Sequence, residues 1–186
     1  MPLACKAPGT GTSQGESKVR TLAMLGVLAI AAGVAYWLWF GRDTLTEADV
    51  QAFYAAQMEA GEALDAPALC AMMSEDYLQR GTVWIEGRSR QMQQDRDETC
   101  DGITQLIGQM AQLRARSGGR FKPDSSQTIV SVDVAPDGSR AIVKTRSTLY
   151  IGMLGMSSRS TDTVIKRRGR VMITGSQSIN WMGVNR

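Results

Sequence analysis

Hydrophobic and polar positions along this chain fall into three successive patterns. The first is the run from Leu22 to Phe40, nineteen residues without a charge or a proline. As a helix rising 1.5 Å per residue, it is long enough to cross about 30 Å of hydrocarbon. It ends in Tyr36, Trp37, Trp39 and Phe40, aromatic residues suited to a membrane–water boundary. The second pattern has helical spacing. Thr46-Glu47-Ala48-Asp49 predicts a helix start, followed by Val50, Phe53, Tyr54, Met58 and Leu64. Asp65-Ala66-Pro67 predicts a short second helix carrying Leu69, Cys70, Met72 and Met73, closed around residues 74–77. Leu78 to Glu86, centred on Thr82-Val83-Trp84-Ile85, reads as a short strand or extended link. From Ser89 to Ala115 the apolar positions Met92, Cys100, Ile103, Leu106, Ile107, Met110 and Leu113 predict one long amphipathic helix, ended by Ser117-Gly118-Gly119.

In the third pattern the period falls to two. Thr128 to Val134 alternates, and Pro136-Asp137-Gly138 is a turn signal. Ala141, Val143, Thr145, Ser147, Leu149 and Ile151 line one side of a second strand. Gly152 to Ser157 predicts a bend or bulge. Ser158 to Arg167 is a third strand, Arg168-Gly169 a turn, and Arg170 to Met182 a fourth strand with Val171, Ile173, Ile179 and Trp181 on one face. Helices followed by strands predict an α+β fold: an N-terminal transmembrane helix, then a cone-like curved antiparallel sheet wrapped around a long helix. Residues 1–20, rich in Gly, Ser and Gln, are expected to be a disordered tail. Residues 21–41 form the anchor, and 43–186 a single domain with its own core.

Charge decides the expected orientation. Lys6, Lys18 and Arg20 precede the apolar run, whereas Arg42 is followed at once by Asp43, Glu47 and Asp49. The positive-inside rule places the N-terminus in the cytoplasm and the domain outside, in the periplasm of a bacterial inner membrane. The run is longer than a secretory signal core, and Trp37-Leu38-Trp39-Phe40 is bulky where a cleavage site needs small residues. An uncleaved signal anchor follows. Gly26, Ala29 and Gly33 share a face on which two such helices could approach closely. The tail and anchor account for the chain's whole net charge of +3. The domain is therefore neutral, which excludes a general nucleic-acid binder. Within it, residues 43–101 carry net −9 and residues 102–186 net +9.

Cys5 belongs to the tail, leaving Cys70 and Cys100 as a pair on the oxidising side; a disulfide is the first reading and two buried thiols the alternative. The chain has no His, and these thiols have no local partners, so neither a metal site nor a cofactor is expected. Asp95, Asp97, Glu98 and Asp101, interleaved with Arg96, fit a solvated helical face. Asp124 falls in a loop, Asp137 in a turn, and Asp133 opposite the valines of its strand. Asp162 is the carboxylate that the pattern does not place, and a surface position is expected for it. Tyr54, Tyr77, Trp84, Tyr150 and Trp181, with Arg96 and Asp162, are candidates to line a pocket; the alternative is that the aromatics fill a small core. Lys166, Arg167, Arg168 and Arg170 form a basic hairpin tip, either a solvated turn or a docking site for an acidic partner or lipid headgroups.

The order helix, helix, short strand, long helix and sheet resembles the nuclear transport factor 2-like superfamily over about residues 45 to 184. Local matches support it: Asp65-Ala66-Pro67-Ala68-Leu69-Cys70 leading to Ser74-Glu75-Asp76-Tyr77, and Ser160-Thr161-Asp162-Thr163 with Arg167-Arg168-Gly169-Arg170 and Ser176-Gln177-Ser178. The resemblance implies a cone closed by a C-terminal hairpin. In ketosteroid isomerase-like members it implies an Asp, or an Asp/His pair, beside Tyr donors; without His, no His-dependent mechanism is open to this chain. The tethered arrangement is similar to the inner-membrane scaffold subunits of type IV secretion systems, although their Asn-Pro-x-Gly loop is missing. The expected function is a non-catalytic periplasmic domain for protein interaction or envelope assembly. Its partners would be the bilayer through Leu22 to Phe40 and an envelope protein or a second copy. The alternative is a binder of small hydrophobic ligands, or an isomerase-like enzyme, using the cone.

Overall fold

Thr46 starts the first element of the computed structural model, which describes residues 43–184 together with Ile30 and Gly33, both helical. The rest of the tail and of the apolar run, with Gly26 and Ala29 of the predicted pairing face, lies outside the described residues. Among the described residues, no helix is long and apolar enough to cross a membrane.

Helix α1 spans Glu47–Ala63. The Thr46 hydroxyl accepts from the Asp49 amide at 3.2 Å, and the Asp49 carboxylate accepts from the Thr46 amide at 2.9 Å. This reciprocal cap satisfies donors that a helix start otherwise leaves open. The helix closes at Leu64, which is left-handed at φ 60°. Helix α2 spans Ala66–Ala71, with Asp65 accepting from the Ala68 amide at 3.0 Å and Pro67 in the first turn. Strand β1 covers Met73–Ile85 and β2 covers Arg88–Asp95. They are joined through Glu86 (φ 51°) and Gly87 (φ 79°), a pair of left-handed residues whose twist suits a tight hairpin. Helix α3 runs over Arg96–Arg116, and then β3 (Asp124–Val134), β4 (Arg140–Ile151), β5 (Leu154–Arg167) and β6 (Arg170–Val184) complete the chain.

Three expectations are corrected here. Residues 89–95 are strand, not the first turns of the long helix. Asp95 and Glu98 make a second reciprocal cap, at 2.9 and 3.2 Å, which fixes the helix start at Arg96. Ahead of it, Arg88 to Asp95 pair in register with Ile85 to Leu78. Strand β1 is thirteen residues long and takes in Met73, which was expected to end α2. The sheet is also not wholly antiparallel. Its order is β2-β1-β6-β5-β4-β3, and the β1–β6 pair is parallel, with α3 and four strands intervening between them in the chain.

The sheet is open, six-stranded and curved, with one face under the helices. Val50, Phe53 and Tyr54 of α1 pack on Ala141 and Val143 of β4, Val164 of β5 and Ile173 of β6, together with Leu45, Met73 and Tyr77. A second cluster joins Ala66 to Ile107 and Met110 of α3. Cys70 and Cys100 are disulfide-bonded, their Cα atoms 5.5 Å apart, which ties α2 to α3.

A further correction concerns β6. Val171 and Ile173 pack on the core, but Ile179 and Trp181 are on the other side, 44% and 37% exposed. The register explains the difference: Val164 pairs with Ile173 but Thr163 pairs with Gly175, so β6 holds one extra residue. A bulge of one residue exchanges the faces of everything beyond it.

Candidate functional site

Asp162 lies midway along β5, between Val143 of β4 and Ser176 of β6, on the face that the helices cover. It is 5% exposed, which corrects the expected surface position. Tyr54 reaches it from α1, one turn beyond Val50, and its hydroxyl donates to Asp162 Oδ2 at 2.6 Å. Ser160 Oγ donates to the same oxygen at 3.1 Å, and Ser176 Oγ donates to Oδ1 at 2.7 Å. Behind them, Thr145 Oγ1 and Ser160 Oγ share a hydrogen bond of 2.7 Å. Tyr77 on β1 completes the group. Its hydroxyl donates to Gln79 Oε1 at 3.5 Å, and Gln79 continues to Ser178.

Burial pushes the Asp162 carboxyl above its ordinary range, while the Tyr54, Ser176 and Ser160 hydroxyls pull it back without cancelling the rise. Burial also raises Tyr54, reinforced by the carboxylate beside it, so that the phenol stays protonated. Tyr77 is pushed up to about 12 by burial and by the charge of Asp162. A carboxylate beside a tyrosine is an acid–base pair in principle. Here both of its oxygens are occupied by protein donors, and Tyr54 and Tyr77 are 3% and 7% exposed. A cavity of about 500 Å³ between α1 and β3 is lined in part by Tyr54, together with Gln51, Met58 and Gln127. In this arrangement the group joins α1 to the centre of the sheet, with Oδ2 accepting two hydrogen bonds and Oδ1 one.

The other residues that sequence singled out lie elsewhere. Arg96 begins α3, where it reaches Asp97 at 3.8 Å, and its Nε is buried with no hydrogen-bond partner among the described residues. Trp84, Tyr150 and Trp181 are on the uncovered face of the sheet, 40%, 37% and 37% exposed. Trp84 and Trp181 are register partners on β1 and β6, and the Arg159 guanidinium sits 5.6 Å from the Trp181 ring centre. Beside them runs a groove of about 710 Å³ whose lining includes Arg80, Gln93, Arg159, Gln177 and Ile179. At the basic tip, Lys166 is held by Asp49 at 3.0 Å, while Arg167, Arg168 and Arg170 are exposed. Among the described residues, no group of three or more Cys, Asp and Glu is placed to hold a metal ion. The residues offered from sequence as a candidate pocket lining are therefore divided. Tyr54, Tyr77 and Asp162 meet inside, the two tryptophans and Tyr150 are outside, and Arg96 joins neither group. Ser160, Ser176 and Thr145 were missed. Their signal was hydroxyl side chains at alternate positions where a core strand should be apolar.

Several solved structures resemble this chain in fold. A putative scytalone dehydratase from Novosphingobium aromaticivorans superposes with a TM-score of 0.53 at 12% identity, over 74% of this chain and 85% of that one. A conserved protein from Planctomyces limnophilus gives 0.51 at 13% identity, over 74% and 96%. A nuclear transport factor 2-like protein of unknown function from Silicibacter pomeroyi gives 0.50 at 18% identity, over 70% and 92%. The fold is nuclear transport factor 2-like. At such identities the likeness extends to the fold and no further. No family model matches the chain. No curated protein matches it either.

Proposed function

We propose that this chain is a membrane-tethered periplasmic domain that works by protein interaction in envelope or secretion-system assembly, without catalysis. The observation that carries this reading is the placement of its large aromatics. Trp84 and Trp181 stand side by side on the open face, with Ile179 and Tyr150 on that same face, each more than a third exposed. Neighbouring exposed aromatics of this kind mark contact surfaces, and tryptophan next to arginine is the composition of binding hot spots. The enclosed Asp162 supports the same reading, since an acid–base residue must reach its substrate. The apolar run before Asp43 and the Cys70–Cys100 bridge fit a tethered domain on the oxidising side. The partner is an envelope protein or a second copy of the chain.

The experiment is photo-crosslinking in cells from a probe at position 84, with Trp181→Arg as the control. A crosslink to one envelope protein or to a second copy, lost in the variant, is expected. A second reading, a binder of small hydrophobic ligands or an isomerase-like or dehydratase-like enzyme, is favoured by the Tyr54–Asp162 pair and by the fold shared with a putative scytalone dehydratase. Saturable thermal stabilisation by a small hydrophobic ligand, lost in Asp162→Asn and without any crosslink, would replace the first reading with the second.

A further inference from the structure

The basic hairpin tip and the start of the domain are fastened to one another. The amide of Gly169 donates to Asp43 Oδ1 at 3.1 Å. Two residues later the Leu45 amide donates to the Gly138 carbonyl at 2.8 Å, and the Leu45 side chain is 2% exposed in the core. The chain therefore enters the packed domain at once after Asp43. In the sequence only Gly41 and Arg42 separate Asp43 from Phe40, the last aromatic of the apolar run. A trans chain spans at most about 11 Å over those three steps.

The tip itself is built to hold its charges outward. Arg168 (φ 53°) and Gly169 (φ 74°) form a tight left-handed turn between β5 and β6. Lys166 is excluded from any external role by its contact with Asp49. Arg167, Arg168 and Arg170 are exposed and make no ion pair of 4 Å or less among the described residues; Arg170 reaches only the Ala71 carbonyl, at 3.4 Å. Arg140 is exposed at the start of β4, beyond the turn that receives Leu45. The acids at this end are Asp43, occupied by Gly169; Asp49, held by Lys166; Asp137, which accepts from the Ser139 amide at 3.0 Å; and Asp76, whose carboxyl is held below its ordinary range chiefly by hydrogen bonding, with a smaller contribution from the charge of Arg167.

We infer that Arg167, Arg168 and Arg170 form a docking surface for the phosphate groups of anionic lipids, holding the domain against the bilayer that carries its anchor. The inference rests on the tethered reading. Arginine suits it because its planar fork pairs with phosphate through two hydrogen bonds, and basic groups next to a span are attracted to acidic headgroups. The turn chemistry supplies rigidity. The tip is pinned through Gly169 to Asp43, three residues along the sequence from Phe40.

The test is hydrogen exchange on the full chain in nanodiscs of phosphatidylcholine, with and without phosphatidylglycerol. The amides of residues 167–170 should exchange several-fold more slowly with phosphatidylglycerol present, and added salt should erase the difference. Arg167→Gln/Arg168→Gln/Arg170→Gln should abolish the protection, the matching Lys variant should keep part of it, and β4 should exchange equally in all. Equal exchange in both lipids, or protection that survives the Gln variant, overturns the proposal. So does protection that appears only with an acidic envelope protein, which then becomes the occupant. If alkaline carbonate strips the chain from membranes, the tether reading fails and this inference with it, a result distinct from an anchored chain whose tip ignores lipid charge.

Discussion

Removing the Tyr54 hydroxyl tests whether the buried cluster is the clamp between α1 and the sheet. Tyr54→Phe preserves the ring, which meets Phe53 edge-on with centroids 5.5 Å apart, and deletes only the donor 2.6 Å from Asp162. A hydrogen bond to a charged group is worth about 1.5–3 kcal/mol. Ser160 and Ser176 remain as donors, so a loss of about 2 kcal/mol is expected at neutral pH. At about 4 °C per kcal/mol for a domain of this size, the melting temperature should fall by about 8 °C. The pH dependence carries the sharper test. Because burial raises Asp162 in the folded state, the native chain binds that proton more tightly than the unfolded chain does. Its contribution to stability therefore declines as pH rises from the unfolded carboxylate value, about 3.9, to the raised native one, and is level above that. Above that window the lost bond is charge-assisted; below it Asp162 is neutral and the deficit should shrink to about 1 kcal/mol. Tyr77→Phe, which removes only the 3.5 Å bond to Gln79, should stay within about 1 kcal/mol throughout. The assay is thermal melting of the detergent-solubilised chain from acid to neutral pH. A Tyr54→Phe melt within about 2 °C of the parent at neutral pH, or a deficit no smaller in acid, would refute the clamp.

Three other perturbations have signs fixed by local geometry. Reducing the Cys70–Cys100 bridge, whose sequence separation is 30, should cost ~3.6 kcal/mol on the loop-entropy model. Thiol titration of the denatured chain, which has three Cys, should find one before reduction and three after; an unchanged melt with three free thiols from the outset would remove the bridge. Gly81→Ala should destabilise by about 1–3 kcal/mol, because its Cβ would come within 2.6 Å of Ser178 Oγ and 2.7 Å of the Ser178 carbonyl oxygen, which the ladder holds in place. In the same melting assay Gly61→Ala, inside α1 with open space around it, should instead stabilise by about 0.5–1 kcal/mol.

What could be read from the sequence depended on how local the cause was. Thr46 with Asp49, Asp65 with Pro67, and Gly138 in its turn act within four residues, and each was legible as a helix start or a turn. The Asp95–Glu98 cap was equally local, but Met92 lies on the apolar stripe of the following helix and drew its start into β2. Only pairing with β1, whose register partners lie on the far side of the hairpin turn, makes residues 89–95 a strand. The parallel β1–β6 pair has no local signature, and neither does the burial of Asp162. A carboxylate reads as solvent-facing until its donors are known, and those donors come from α1, from β6 and from two residues away on its own strand.

The bulge in β6 connects the inside of this fold with its outside. Downstream of the inserted residue, Ser176 and Ser178 turn inward and Ile179 and Trp181 turn outward. Without the insertion the faces would be exchanged. Ser176 would point away from Asp162, leaving Oδ1 without a donor in a site that water does not reach, while the Trp181 ring would have to fit under the helices beside Ser158. The same extra residue thus completes the carboxylate's hydrogen bonds and sets Trp181 beside Trp84 on the open face. A fold of this kind used for catalysis would need the opposite disposition, with aromatic walls inside and the carboxylate within reach of a ligand. Here the polar groups hydrogen-bond to one another and Trp84, Ile179 and Trp181 are exposed on the other face. This disposition, set by one inserted residue, is the observation on which the proposed interaction reading rests.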